Sequence, residues 1–240
     1  MVKPDPKTAA AQFVAEHFPD CQGAVLAGSV VRGEATETSD LDIVIFDESL
    51  QSSFRESLTA FGWPIEIFVH NLFSYRYFFE MDCKDAIPSM PRMVSEGIVL
   101  KDSGIIQSIK EEANALLSKG PERWSAETII EKRYFITDVL DDFIGSTIRA
   151  EQIFIANTLS NKIQEFVLRT NGHWMGTSKW VVRALKMYDE KFAEEFVNAF
   201  DEFYKSGKKD KIITIVDKVL EPYGGRFFDG FLLGNKIFNR

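Results

Sequence analysis

Along the first hundred residues, short apolar runs alternate with turn chemistry, and beyond them the apolar positions settle into long helical periods. Runs bounded by Gly, Pro, Ser or Asp predict strands over 23–27, 41–46, 65–69 and 97–100. Helices are expected over 8–17, from a start near Ser29, over 49–61 and over 74–79, which makes the first part a mixed α/β pattern. From Ser103 the spacing changes. Ile105, Ile106, Ile109, Ala113 and Leu116 recur at three- and four-residue intervals until Gly120-Pro121, which is read as the domain boundary. Ser125 is placed to cap a helix to about Ile144, and Ser146 or Thr147 another that ends at Asn171-Gly172. Three more helices are expected over 178–188, 191–205 and 209–220, so residues 121–240 read as an all-α helical bundle.

The chemistry concentrates in the first part. The segment Ala27-Gly28-Ser29-Val30-Val31-Arg32-Gly33 follows an apolar strand and is read as opening a helix, whose free N–H groups and dipole would suit a phosphate. Gly28 would let the phosphate approach, and Ser29 could donate to it. Asp40 and Asp42 stand two apart on an expected strand, so both carboxylates leave one face while Leu41 points to the core. Like charges so close repel unless a cation lies between them. On the strand Ile65-Glu66-Ile67-Phe68-Val69 a single acid interrupts the apolar pattern, and beside the first acidic strand it would complete a three-carboxylate cluster suited to Mg²⁺ held together with substrate phosphates.

Gly28-Ser29 with Arg32-Gly33, then Ser39-Asp40-Leu41-Asp42, then Glu66 on a later strand, resembles the signature of the DNA polymerase beta-type nucleotidyltransferase superfamily. Its small-molecule branch, which includes kanamycin nucleotidyltransferase, joins such a catalytic domain to a C-terminal helical domain. The resemblance implies an α+β nucleotidyltransferase domain over residues 1–120, a small mixed sheet with flanking helices, and a helical acceptor-substrate domain over 121–240. It also implies Asp40 and Asp42 as ligands of two Mg²⁺ ions, Glu66 as ligand of the catalytic one, and Gly28 and Ser29 as contacts to the β/γ-phosphates of an NTP, expected to be ATP. The segment Glu96–Asp102 resembles the family's last core strand. Arg32 reads equally as a phosphate ligand or as an ordinary helix residue. In the kanamycin-type architecture the base comes from the helical domain, where Asp142 is the first candidate and Asp138, one turn away, the second. Lys179, at a helix start flanked by Trp174 and Trp180, is a candidate nucleotide contact, against a simpler reading in which the tryptophans close the bundle.

Charge adds a location. The chain of 240 residues carries a formal −8, which disfavours a protein living by contacts to nucleic-acid backbone. Residues 1–124 hold 19 Asp and Glu against 11 Lys and Arg, a deficit of eight, so the whole imbalance lies in the first half. Two cysteines, Cys21 and Cys83, read as buried fillers, too few for a disulfide framework. With no leader-like start and no membrane-length apolar run, a cytoplasmic location is expected. His70 is expected to be structural, and Tyr75-Arg76-Tyr77-Phe78-Phe79 to be core or a pocket wall. The expected reaction is transfer of a nucleoside monophosphate, AMP in the leading case, to a small-molecule hydroxyl with release of pyrophosphate. An aminoglycoside-like acceptor would suit the acidic half, and the resemblance leaves a homodimer open. The alternatives are a protein adenylyltransferase of antitoxin type and a catalytically degenerate nucleotide-binding regulator.

Overall fold

The computed structural model describes residues 3–234, and the chain divides after Gly120 into two compact units. The first is built on five strands, β1 (Gly23–Ala27), β2 (Leu41–Phe46), β3 (Phe54–Ala60), β4 (Trp63–His70) and β5 (Ile98–Asp102), in spatial order β3-β4-β2-β1-β5. Only β2 and β4 run parallel; the other neighbours are antiparallel. Alternation along the strands feeds two apolar layers. Leu41, Ile43, Ile65 and Ile67 pack with Phe13 and Val14 of α1 (Pro6–His17). On the other face Val44 and Phe46 pack with Tyr75 and Phe79 of α2 (Ser74–Lys84), Val94 of α3 (Ser89–Glu96) and Ile109 of α4 (Ile106–Lys119). Asp42 and Glu66 interrupt this second face.

Two expected helices do not form. Residues 49–61 contain the edge strand β3, not a helix. Its composition, Phe-Arg-Glu-Ser-Leu-Thr-Ala, carries no strong strand signal, and pairing with β4 overrides its local helical preference. The decisive local feature is the two-residue link Phe61-Gly62, with φ of 53° and 76°, the double positive φ of a tight hairpin turn. The segment after Gly28 is likewise no helix but a sequence of turns, closed by the Glu34 N–H on the Ser29 carbonyl at 3.0 Å. α3, which the apolar pattern did not single out, follows Pro88.

The second unit holds α5 (Ala126–Gly145), α6 (Arg149–Thr170), α7 (Trp180–Tyr188), α8 (Glu190–Ser206) and α9 (Asp210–Leu220) around one core that includes Phe143, Leu159, Phe166, Phe203 and Val216. Ser125 caps α5 by accepting from the Thr128 N–H at 3.2 Å, and Asp189 caps α8 at 2.9 Å from the Phe192 N–H. α6 starts at Arg149 with Ile148 at its N-cap and no side-chain cap, where Ser146 or Thr147 was expected. No helix among the described residues is long and apolar enough to cross a membrane.

Candidate active site

The parallel register of β2 and β4 sets Asp42 directly opposite Glu66, on the same face of neighbouring strands. Asp40 precedes β2 by one residue and lies on the Asp42 side. One carboxylate oxygen from each of Asp40, Asp42 and Glu66 falls within 4.8 Å of the others, and all three residues are half-buried. This is a cluster of hard oxygen donors with strong mutual repulsion. Burial, then Asp40, then Glu66 push the Asp42 carboxyl up to about 6, against partial relief from Arg32 and Arg55. Such a donor set fits a divalent cation that prefers oxygen.

Gly28 fits the cluster in a way its sequence role did not suggest. It adopts φ +78°, and a Cβ there would stand 1.9 Å from Oδ2 of Asp42. The missing side chain is therefore the space into which the Asp42 carboxylate folds. Ser29 is buried, and its hydroxyl donates to Ser39 Oγ at 3.0 Å, while Ser39 Oγ accepts from the Thr36 N–H at 2.8 Å. These bonds tie the glycine turn to the approach of β2. Because the turn opens no helix, a dipole directed at phosphate is absent, and what the turn offers an anion is its backbone N–H groups. Arg32 is held between Glu34 at 3.1 Å and Glu96 at 3.2 Å, close enough to Asp42 to favour its ionised form.

The strand that the sequence concealed contributes two residues. Arg55 on β3 donates to Oε1 of Glu66 from Nη2 at 2.6 Å and from Nε at 2.8 Å, and Ser57 donates to the same oxygen at 3.1 Å. Oε2 lies outside this network. Arg55 also sits over the Phe68 ring, 4.9 Å from its centroid. The signal that could have found both residues is the Phe61-Gly62 turn, which requires a strand on either side.

His70 ends β4 and is buried, and only one of its ring nitrogens has a protein partner among the described residues. Nδ1 stands 3.1 Å from Ser53 Oγ, whereas Nε2 is buried with no hydrogen-bond partner among the described residues. Burial lowers its pKa to about 4, so the ring is neutral near pH 7. Of the expected pocket wall, Tyr75 and Phe79 are core, and Phe78 lines a cavity with His70.

The remaining expected residues lie in the second unit. Asp142 is exposed on α5 and lines a shallow cavity of about 590 Å³ with Asp141, Ser146 and Glu151. Asp138 is exposed one turn earlier. Lys179 is exposed at the position preceding α7. Trp180 packs close over Gly176, where a Cβ would meet its carbonyl oxygen at 2.3 Å.

Residues 8–77 match the family model described as a nucleotidyltransferase domain. That stretch contains Gly28, Asp40, Asp42 and Glu66 and runs from α1 into α2. The first unit has the nucleotidyltransferase fold, and a helical region follows it. Among solved structures, a nucleotidyltransferase-like protein from Exiguobacterium sibiricum 255-15 is similar at 10% identity and a TM-score of 0.43, over 90% of this chain and 74% of that one. No curated protein matches.

Proposed function

We propose that the protein transfers a nucleoside monophosphate, AMP from ATP in the leading case, to a hydroxyl of a small molecule with release of pyrophosphate, in a Mg²⁺-dependent reaction. The observation that carries this reading is the convergence of Asp40, Asp42 and Glu66 beside a glycine turn, within a matched nucleotidyltransferase domain. Two Mg²⁺ ions bound at the three carboxylates would supply acidification of the attacking hydroxyl and charge stabilisation at the leaving pyrophosphate. The chain's own part is to hold that donor set in place. Gly28 leaves room for Asp42, and Arg55 and Ser57 fix Glu66 through one oxygen. The backbone of the Gly28-Ser29 turn and the Arg32 guanidinium are the anion-binding groups on the β1 side, where the β- and γ-phosphates would lie. Asp142 is our candidate to take the acceptor's proton, with Asp138 next, and Lys179 our candidate for a further nucleotide contact.

The test follows labelled ATP and each other NTP with Mg²⁺, with and without a panel of hydroxylated compounds, reading pyrophosphate release and the destination of the label. Transfer to a small molecule that disappears in Asp42→Asn is expected. Transfer to protein would favour the adenylyltransferase alternative, and turnover unchanged by Asp42→Asn would remove the metal-site reading.

A further inference from the structure

Next to Glu66 the same face of the sheet carries a cavity of about 520 Å³ that the carboxylate cluster leaves unused. Its size falls in the ~300–1,000 Å³ range of small-molecule sites. The hairpin register shows where it begins. Ser57 pairs with Glu66, and the next pair on the same face of the hairpin, two residues on, is Arg55 with Phe68. Arg55 and Phe68 both line the cavity, so the arginine that grips Glu66 also stands at the cavity's edge. Deeper along β4 comes His70, with Phe78 of α2 packed edge-on to it at 4.8 Å between centroids, and Met90 and Met93 of α3 complete the wall.

We infer that this cavity receives the acceptor, and that the acceptor carries a flat aromatic or heteroaromatic ring. The inference rests on the nucleotidyltransfer reading above. Three observations carry it. Across the sheet the order is the Gly28 turn off β1, Asp42 on β2, Glu66 on β4 and Arg55 on β3. In an in-line displacement the attacking hydroxyl enters opposite the leaving group, so if pyrophosphate departs toward the Gly28 turn, the acceptor arrives over β4 and β3, at this cavity. Its oxygen then forms a bond to the α-phosphorus while the bond from that phosphorus to the bridging oxygen breaks. Pyrophosphate leaves with the electron pair, and the hydroxyl proton goes to the base.

The walls set the chemistry. Phe68, Phe78, Met90 and Met93 offer the faces and polarisable sulfurs that hold a ring. Within them His70, 4% exposed and held through Nδ1, 3.1 Å from Ser53 Oγ, adds a further flat ring to the wall. A polycation fits poorly. The cationic Arg55 stands at the edge, and the lining carboxylate, Asp82, already accepts the Met90 N–H at 2.6 Å. The charge excess of the first half therefore does not translate into an aminoglycoside-like acceptor at this cavity.

The test uses the full chain with imidazole-¹⁵N-labelled histidine, Mg²⁺ and a non-hydrolysable ATP analogue, with adenosine and tyrosol as ring probes and kanamycin as the polycation. Ring probes are expected to shift the His70 resonances and, with ATP, to become labelled. Met93→Trp, which fills the cavity, and His70→Gln should each raise the ring probe's KM at least tenfold while leaving affinity for the ATP analogue within twofold. The acceptor assignment is overturned if the ATP analogue alone shifts His70, which would make the cavity the donor's base site. It is also overturned if kanamycin is labelled in preference to the rings, or if neither variant moves KM. Failure of the nucleotidyltransfer reading looks different. In that case wild type neither binds the ATP analogue nor turns over ATP, and ring probes that still shift His70 mark a ring-binding cavity with no acceptor role.

Discussion

At Asp42 the fold opposes the ionisation of a carboxylate that the proposed chemistry needs ionised. Burial and the charges of Asp40 and Glu66 lift its pKa to about 6 from the ordinary 3.8. Without metal the ionised form is therefore a burden on the folded state, and Asp42→Asn relieves it. We expect that substitution to stabilise the metal-free protein at pH 7 by roughly 1 kcal/mol after allowing for solvent screening, while abolishing Mg²⁺ binding and turnover; denaturant melts with and without Mg²⁺ show both effects. A variant that lost activity through misfolding would instead be less stable. Gly28→Ala acts oppositely. A Cβ 1.9 Å from the Asp42 oxygen, on a backbone at φ +78°, forces the turn or the carboxylate to move. A loss of about 2 kcal/mol or more is expected from the clash and the strain together, with Mg²⁺ affinity falling because Asp42 is displaced; calorimetric Mg²⁺ titration measures it.

The hairpin of β3 and β4 is the element on which the site's supporting contacts depend. Its turn is held open to Arg55 and Ser57 only if Phe61 and Gly62 keep their positive φ. Gly62 has open space around it, with Lys3 Cγ at 3.8 Å as the neighbour a Cβ would meet. Gly62→Ala is thus a test of backbone strain without steric conflict, and should cost about 1 kcal/mol, with hydrogen exchange accelerated in β3 ahead of β2. The same hairpin shows why part of the structure was legible in sequence and part was not. β1, β2 and the Glu66 strand are buried on both faces or alternate cleanly, so their apolar pattern declares them, and with them Asp40, Asp42 and Glu66. β3 is an exposed edge whose residues are mostly polar, and edge strands are commonly charged on that account; its identity lies in pairing with β4, which local pattern does not encode. The Gly28 turn failed for a related reason. A glycine followed by serine after a strand is compatible with a helix start, and only the packing of Asp42 against Gly28 decides for a turn. His70 read as structural because a lone histidine ending a strand gives no sign of the cavity formed by helices elsewhere in the chain.

Across the molecule, two titratable groups on this face, half-buried Asp42 and buried His70, pull stability in opposite directions over the same pH range. The Asp42 carboxyl is raised from 3.8 to about 6, so between those values the folded protein binds more protons than the unfolded chain, and stability falls as pH rises. The His70 ring is lowered from 6.5 to about 4, so there the unfolded chain binds more protons, and stability rises with pH. In the metal-free wild type the two contributions offset each other between about pH 4 and 6. Each is exposed by removing the other. Relative to wild type, Asp42→Asn should become progressively more stable as pH is raised from 4 to 6, and His70→Gln progressively less penalised as pH is lowered across the same interval. Metal would reverse the first effect, since Mg²⁺ held at the ionised cluster would stabilise wild type as pH rises. Its stabilisation of wild type should grow as pH rises to about 6, level off above that, and vanish in Asp42→Asn. Unfolding free energies measured at fixed ionic strength from pH 4 to 8, with and without Mg²⁺, decide all three. A wild-type profile in which Mg²⁺ stabilises equally at both ends would mean that the cluster is not where the cation binds.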